Sequence, residues 1–451
     1  MSVSCRLVLI CDVRLIGGAE NLSDEWQPGP FVETYTDHMG RDVRTDAATR
    51  ATNFPASLAG RLFGTPASQQ VRFSTGILDV PWDRELPWTD EPILPASTTL
   101  RHAELLVAAP EAENREGQRP GILALHLDVE GATFADAVGV ANRLARQRGG
   151  QGESALHGAL TYKRLRSLHA SMCGGVMFPT DDDAGAETES SIYSMIMIDQ
   201  EPGTGPVELD IEQAYSAASC QDPGKLHASQ NALERAASSV ERLSRSWSAL
   251  FLRHGAAFMV HTDPDDAFRR FMPIYFGTLY TDAVMLVRLQ MLIVRQMELA
   301  AESLLERAAG NPHLGAVSED FDHLDRSLAI NSARYWMRRS ESNAGNSIKI
   351  VHRIQDAMSF PTRLGALDAH IDGLARLSDA DAQKTYLAAQ NRLATVVALI
   401  GTIAVPVTIA IDGFQLLELA VTPGNMAGLA GAILLLGGGM WTWLSRLLPR
   451  T

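Results

Sequence analysis

From Leu393 to Ile411 the chain reads LATVVALIGTIAVPVTIAI, 19 residues without a charge. As a helix rising about 1.5 Å per residue it covers roughly 28 Å, close to the hydrocarbon thickness of a bilayer. A second uncharged stretch runs from Leu419 to Ser445, and Pro423-Gly424 supplies a turn and a helix entry within it. Both stretches are apolar on every side, whereas helices of water-soluble cores usually keep a polar stripe. The expectation is a two-helix transmembrane hairpin over 391–448, with spans at about 393–411 and about 423–445. Arg392 precedes the first span, Arg446 and Arg450 follow the second, and Asp412 and Glu418 lie between, which places both termini in the cytoplasm. The short apolar run Leu7 to Cys11 is broken by Asp12 and does not read as a signal peptide. The expected location is the cytoplasmic (inner) membrane.

The remainder of the 451 residues reads as folded, water-soluble chain. Over all 451 residues, the 46% hydrophobic and 20% charged fractions exclude collagen, a disordered polymer and a transporter of many spans. A net charge of -14 argues against a nucleic-acid partner that needs a broad cationic surface. Cys5, Cys11, Cys173 and Cys220 are too sparse for a disulfide framework and show no CxxC spacing, so the bulk suits a reducing compartment. Candidate strands lie at 6–13, 71–78, 100–107, 122–129 and 192–198, with an Ala-rich helix over 134–147. Residues 1–215 are therefore read as a cytoplasmic α/β domain, and residues 216–390 as a long-helix stalk. Its helices are expected at 226–261, 264–310, 318–358 and 362–376, with a last one from Ser378 running into the membrane. The fold class expected is an α+β cytoplasmic domain, a helical stalk and a C-terminal transmembrane hairpin.

No Walker loop, GxGxxG, GxSxG elbow or HExxH occurs, so the chain is not read as an enzyme. On the strand at 122–129, alternation puts His126, Asp128 and Glu130 on one face, where three ligands could hold a metal; a half-exposed strand shows the same pattern. Asp181-Asp182-Asp183 lacks the later ligands of a calcium loop and reads as solvated. In the first span, Asn391, Thr395 and Thr402 share a helix face, a stripe that suits either water lining or helix packing. Pro406 removes one backbone donor and can kink this helix. One hairpin cannot enclose a channel, so conduction requires an oligomer, with Asp412 and Glu418 repeated around the outer mouth.

The segment NRLATVVALIGTIAVPVTIAIDGFQ, Asn391 to Gln415, together with the expected architecture, resembles the CorA-like magnesium transporter superfamily. Members of that family carry an Asn at the cytoplasmic mouth and, further along the first span, a Pro followed two residues later by a Thr; Asn391, Pro406 and Thr408 occupy those places. The family's Gly-Met-Asn motif is not present, and Gly413-Phe414-Gln415 is its nearest counterpart. The resemblance implies a homo-oligomer, pentameric in that family, that passes a divalent, Mg2+-like cation across the bilayer. The ion path would include Asn391, Thr395, Thr402, Pro406 and Thr408, and the outer mouth Asp412 to Gln415 and Glu418. No cofactor is implied; Mg2+ enters as substrate or regulator. The alternative is a membrane-tethered sensor or effector whose cytoplasmic domain binds a small ligand or protein and controls permeability.

Overall fold

The computed structural model describes residues 3–376 other than 18, 38, 64–70, 83–93, 95, 109–116, 147–163, 178–190, 200–208, 222–227, 254, 263–266, 311–319, 321–322 and 331–344. Beyond 376 it describes residues 386, 387, 390, 391, 393–395, 397, 427, 428, 430, 431, 435 and 438. Residues 1–304 with 322–371 form one compact unit, and 305–321 with 372–451 a second.

The first unit is built on an eleven-stranded sheet. Its first strands are β1 (Val3–Ile16) and β2 (Gln27–Pro28), and β3 (Thr34–Thr36) with β4 (Asp42–Arg44) forms a separate hairpin sheet. There follow β5 (Arg72–Ser74), β6 (Val80–Pro81), β7 (Ser97–Val107), β8 (Gln118–Ala132), β9 (Val176–Met177) and β10 (Ser191–Asp199). The last are β11 (Val240–Arg242), β12 (Trp247–Leu252) and β13 (Gly255–Thr262). The order is β11-β12-β13-β10-β1-β8-β7-β5-β2, with β6 beside β7 and β9 beside β1. The β10–β13 pair is parallel and all others are antiparallel.

Each strand expected from the sequence has a counterpart, because each is a run of apolar and β-branched residues bounded by turn formers, although that expected over 71–78 is confined to Arg72–Ser74. The register of β1 on β8 pairs Leu7 with Leu127 and Arg6 with Asp128, so the two faces carry different chemistry. One face presents Cys5, Leu7, Leu9, Leu123, Leu125 and Leu127 to Ala137, Val138, Ala141 and Leu144 of α3 (Phe134–Arg146). The helix at Ile211–Ala218 adds Ala214, Ala217 and Ala218 to this layer. Burying each Leu or Val side chain contributes about 1.5–3 kcal/mol.

The opposite face is covered by a long helical rod: Ala267–Tyr275, a π-helical turn Phe276–Tyr280, and Thr281–Gly310. Phe276 and Tyr280 of the turn pack on Phe258 of β13, with ring centroids 5.3 and 5.8 Å apart. Pro273 sits inside the first part of the rod and supplies no amide hydrogen, which accounts for the irregular turn after it. The Thr278 hydroxyl donates to the Ile274 carbonyl at 2.6 Å, and Thr281 to that of Phe276 at 2.8 Å, so carbonyls at the irregular turn acquire partners.

Three expectations are overturned, one of them the single helix over 318–358, since Gly345 is non-helical and a new helix begins after it at Asn346–Ala357. The architecture of a stalk leading to a C-terminal two-helix hairpin is not what the structure shows. Among the described residues the one helix long and apolar enough to cross a membrane is Arg269–Arg307, and 94% of its most apolar stretch is buried. Its apolar stretch belongs to a core helix, with Leu286, Val287, Leu289 and Val294 all buried. Residues of the expected spans lie largely outside the described residues. The helix expected over 226–261 is instead a short helix, Gln230–Ser239, followed by β11, β12 and β13. Its Ala, Leu and Met content favours helix locally, but pairing of Gly255–Thr262 along β10 buries Ala256, Ala257 and Phe258 between two covered faces.

Candidate functional site

The sheet face under the rod carries an unusual density of charge. Alternation brings Arg6 of β1, Arg72 of β5, His102 and Glu104 of β7, and His126 and Asp128 of β8 to this one face. A β-bulge between Leu100 and His102 sets His102 opposite His126. Phe31, Glu33 and Arg50 come from the chain following β2, Arg50 lying on the short helix Ala47–Ala51 whose amide end is capped by Asp46. Asp282 enters from above, in the first turn of Thr281–Gly310.

These side chains form two ionic groups. In the first, Glu104 Oε1 accepts from the Phe31 amide at 2.8 Å and meets Arg50 Nη1 at 3.3 Å and Arg72 Nη2 at 3.1 Å. Asp282 Oδ1 meets the same two guanidiniums at 3.0 and 2.7 Å, and all four side chains are fully buried. Arg50 also donates to the carbonyls of Thr45, at 2.9 Å, and Phe31. In the second, Asp128 takes Arg6 Nε at 2.8 Å and Arg101 Nη1 at 3.3 Å, while Glu33 faces Arg6 at 3.7 Å and Arg101 at 3.3 Å. Arg6 further donates to the Pro273 carbonyl at 3.0 Å, tying β1 to the rod just before its π turn. Gly277 lets this happen: a Cβ there would stand 2.9 Å from Arg6 Nη1.

Between the groups lies a stack of three rings. Phe31 and His102 have centroids 3.7 Å apart at 11°, and His102 and His126 4.0 Å apart at 18°. His126 Nε2 is 3.3 Å from Glu104 Oε2 but not aligned for a hydrogen bond, and neither ring nitrogen of either histidine makes one. Glu104 Oε2 and Asp282 Oδ2 are likewise buried without a hydrogen bond. Each such atom costs about 1–3 kcal/mol when left unpartnered.

The protonation pattern follows from burial and the arginines. Burial drives His102 well below its usual value, helped by His126 and against the pull of Glu104. Burial also lowers His126, although Glu104 opposes it. Burial alone would raise Glu104, but the guanidiniums of Arg72 and Arg50 outweigh it and hold the carboxyl well below the usual range. Asp282 shares those guanidiniums and is raised by burial, with the Glu104 charge adding to the rise. Two neutral imidazoles thus flank an ionised carboxylate.

The sequence-predicted residues distribute unevenly. His126, Asp128 and Glu130 do share strand parity, yet Asp128 is taken by arginines and Glu130 is exposed. His126 turns instead to His102 and Glu104, whose ligand atoms with its own all lie within 4.8 Å of one another. In the second unit, Asn391 and Thr395 are helical and exposed, and the Thr395 hydroxyl donates to the Asn391 carbonyl at 2.8 Å. Thr402, Pro406, Thr408, Asp412, Gly413, Phe414, Gln415 and Glu418 lie outside the described residues, as do Asp181 to Asp183. Sequence reasoning did not find Arg6, Arg50, Arg72, His102, Glu104 or Asp282. A signal was present in charged residues set two apart in apolar strands, as in His102-Ala103-Glu104, but only the β7–β8 register joins it to His126.

No protein-family model matches the chain, and no curated protein matches it in sequence.

Proposed function

We propose that this protein assembles as an oligomer at a lipid bilayer and lets cations cross it. The observation that supports the reading is the exposure of large apolar side chains where the sequence has no charges: Leu393 is 68% exposed, Val397 60% and Leu435 80%. Side chains of this kind in uncharged runs are expected to meet lipid or another copy of the chain rather than water. Asn391 and Thr395, one turn apart and exposed on the same helix, give that segment the polar edge on which a hydrated cation could be handed along. The resemblance of Asn391 to Gln415 to CorA-like transporters supports a divalent cargo of the Mg2+ kind.

The test is flux of Mg2+, Co2+ and K+ into liposomes carrying the purified protein, with Asn391→Ala alongside. Divalent flux at least tenfold above empty liposomes, altered by Asn391→Ala, is the expected result. Vesicles that stay sealed to every ion, from protein that floats with the lipid, would sink it in favour of a membrane-tethered sensor. That second reading draws on the buried ionic groups, which tie the rod to the sheet at Asp282 and Pro273 and so give the first unit a fixed path from its strands to its longest helix.

A further inference from the structure

We propose that His102, Glu104 and His126 bind one transition-metal dication of the zinc class, in a closed site between β7 and β8 that does not serve transport. The three residues are wholly buried, and their ligand atoms lie within 4.8 Å of one another. Glu104 is divided in its duties. Its Oε1 is committed to the Phe31 amide, Arg50 and Arg72, whereas Oε2 points to His126 and accepts no hydrogen bond. The four ring nitrogens of the two histidines are equally without hydrogen bonds. A shared proton between His126 and Glu104 would supply only one of these contacts and would leave His102 with none; a metal ion supplies partners to all three side chains.

The donor chemistry selects the ion. Two imidazole nitrogens and one carboxylate oxygen suit Zn2+, Co2+ or Fe2+, while Mg2+ and Ca2+ favour oxygen ligands throughout. Burial keeps both imidazoles neutral, with a lone pair available, and the arginines keep Glu104 ionised, so no proton has to be expelled from a ligand on binding. Three protein ligands leave a coordination position open, but the site has no exposure to solvent, so the ion would be structural. Two features work against tight binding. The imidazoles are stacked at 18°, which runs their lone pairs nearly side by side, so one ring must turn about its Cβ–Cγ bond to converge on the ion. Four carboxylates, Glu33, Glu104, Asp128 and Asp282, already offset Arg6, Arg50, Arg72 and Arg101, so a dication adds uncompensated charge. The affinity should therefore fall below that of a two-histidine, one-carboxylate site without arginines.

The full-length protein, stripped with a chelator and freed of it, is titrated with Co2+ while visible absorption is recorded, and its melting temperature is read with and without Zn2+. One Co2+ per chain with a d–d band of four- or five-coordinate cobalt, and a rise in melting temperature with Zn2+, are expected. Glu104→Gln and His102→Gln should each weaken Co2+ binding at least tenfold; Glu130→Gln, at an exposed position, should leave it unchanged. No band and no thermal shift in the unmodified protein would overturn the proposal, and so would binding that survives undiminished in folded Glu104→Gln. If both ligand variants fail to fold, X-ray absorption at the zinc edge of the unmodified protein decides, since the proposal requires the scattering of two imidazoles. None of these readouts depends on ion flux, so their failure leaves the transport reading untouched and the reverse also holds.

Discussion

At Arg50 a single side chain joins three parts of the chain, donating to Thr45 and Phe31 carbonyls while pairing with Glu104 of β7 and Asp282 of the rod. Two carboxylates share two guanidiniums here, so removing one cation leaves Glu104 and Asp282 facing each other with Arg72 alone. Arg50→Met keeps the volume and removes the charge, and should cost about 3–5 kcal/mol, the penalty of stranding a buried charge. Urea unfolding would show this as a lower midpoint at an unchanged slope; a loss under about 1 kcal/mol would mean the network relaxes by protonating Asp282, the carboxyl already raised by burial. Asp136 and Asp46 each accept an amide hydrogen at the start of a helix, a local contact within three residues. The roles of Arg50, Asp282 and Glu104 were not legible in the sequence, because ion pairs between residues as far apart as 50 and 282 leave no local pattern.

Among the elements, the π turn at Phe276–Tyr280 is where the rod meets the charged face. Gly277 faces Arg6 and His126, and the Arg6 guanidinium is pinned by both Asp128 and the Pro273 carbonyl, so it cannot retreat from a new methyl group. In an ordinary helix interior, Gly→Ala stabilises by about 0.8–1 kcal/mol. Gly277→Ala should instead destabilise by about 1–3 kcal/mol through overpacking, a reversal of sign that thermal unfolding can read directly. The expected helix from Pro264 to Gly310 matches the rod's course, since Gly310-Asn311-Pro312 is a strong stop and the apolar spacing is helical. Its π turn was beyond sequence reading, because the extra residue is accommodated by what lies beneath it. Likewise β12 and β13 carry residues that suit a helix, and become strands because β10 offers an edge for parallel pairing.

For the first unit as a whole, β1 lies between β10 and β8, also pairs β9, and is buried along most of its length on both faces. Backbone amides of β1 and β8 should accordingly exchange with deuterium last, near the global unfolding free energy, while the exposed β3–β4 hairpin exchanges first. Fast exchange in β1 would mean that the rod-covered face opens independently of the rest. The sequence by itself determined where β1, β7, β8 and β10 lie, where the shorter β5 falls within the expected 71–78, and where α3 lies, because alternation and turn residues act over a few neighbours. It also determined that a long helix ends at Gly310, although the sequence placed that helix in a stalk rather than in a core. Only the tertiary structure decided that this helix is sheltered by an eleven-stranded sheet, and that His102, Glu104, His126 and two arginines converge under its Asp282. The reason is physical: apolar character states that a surface must be covered but not by what, and a buried charge is tolerated only where the register of distant strands happens to deliver its partner.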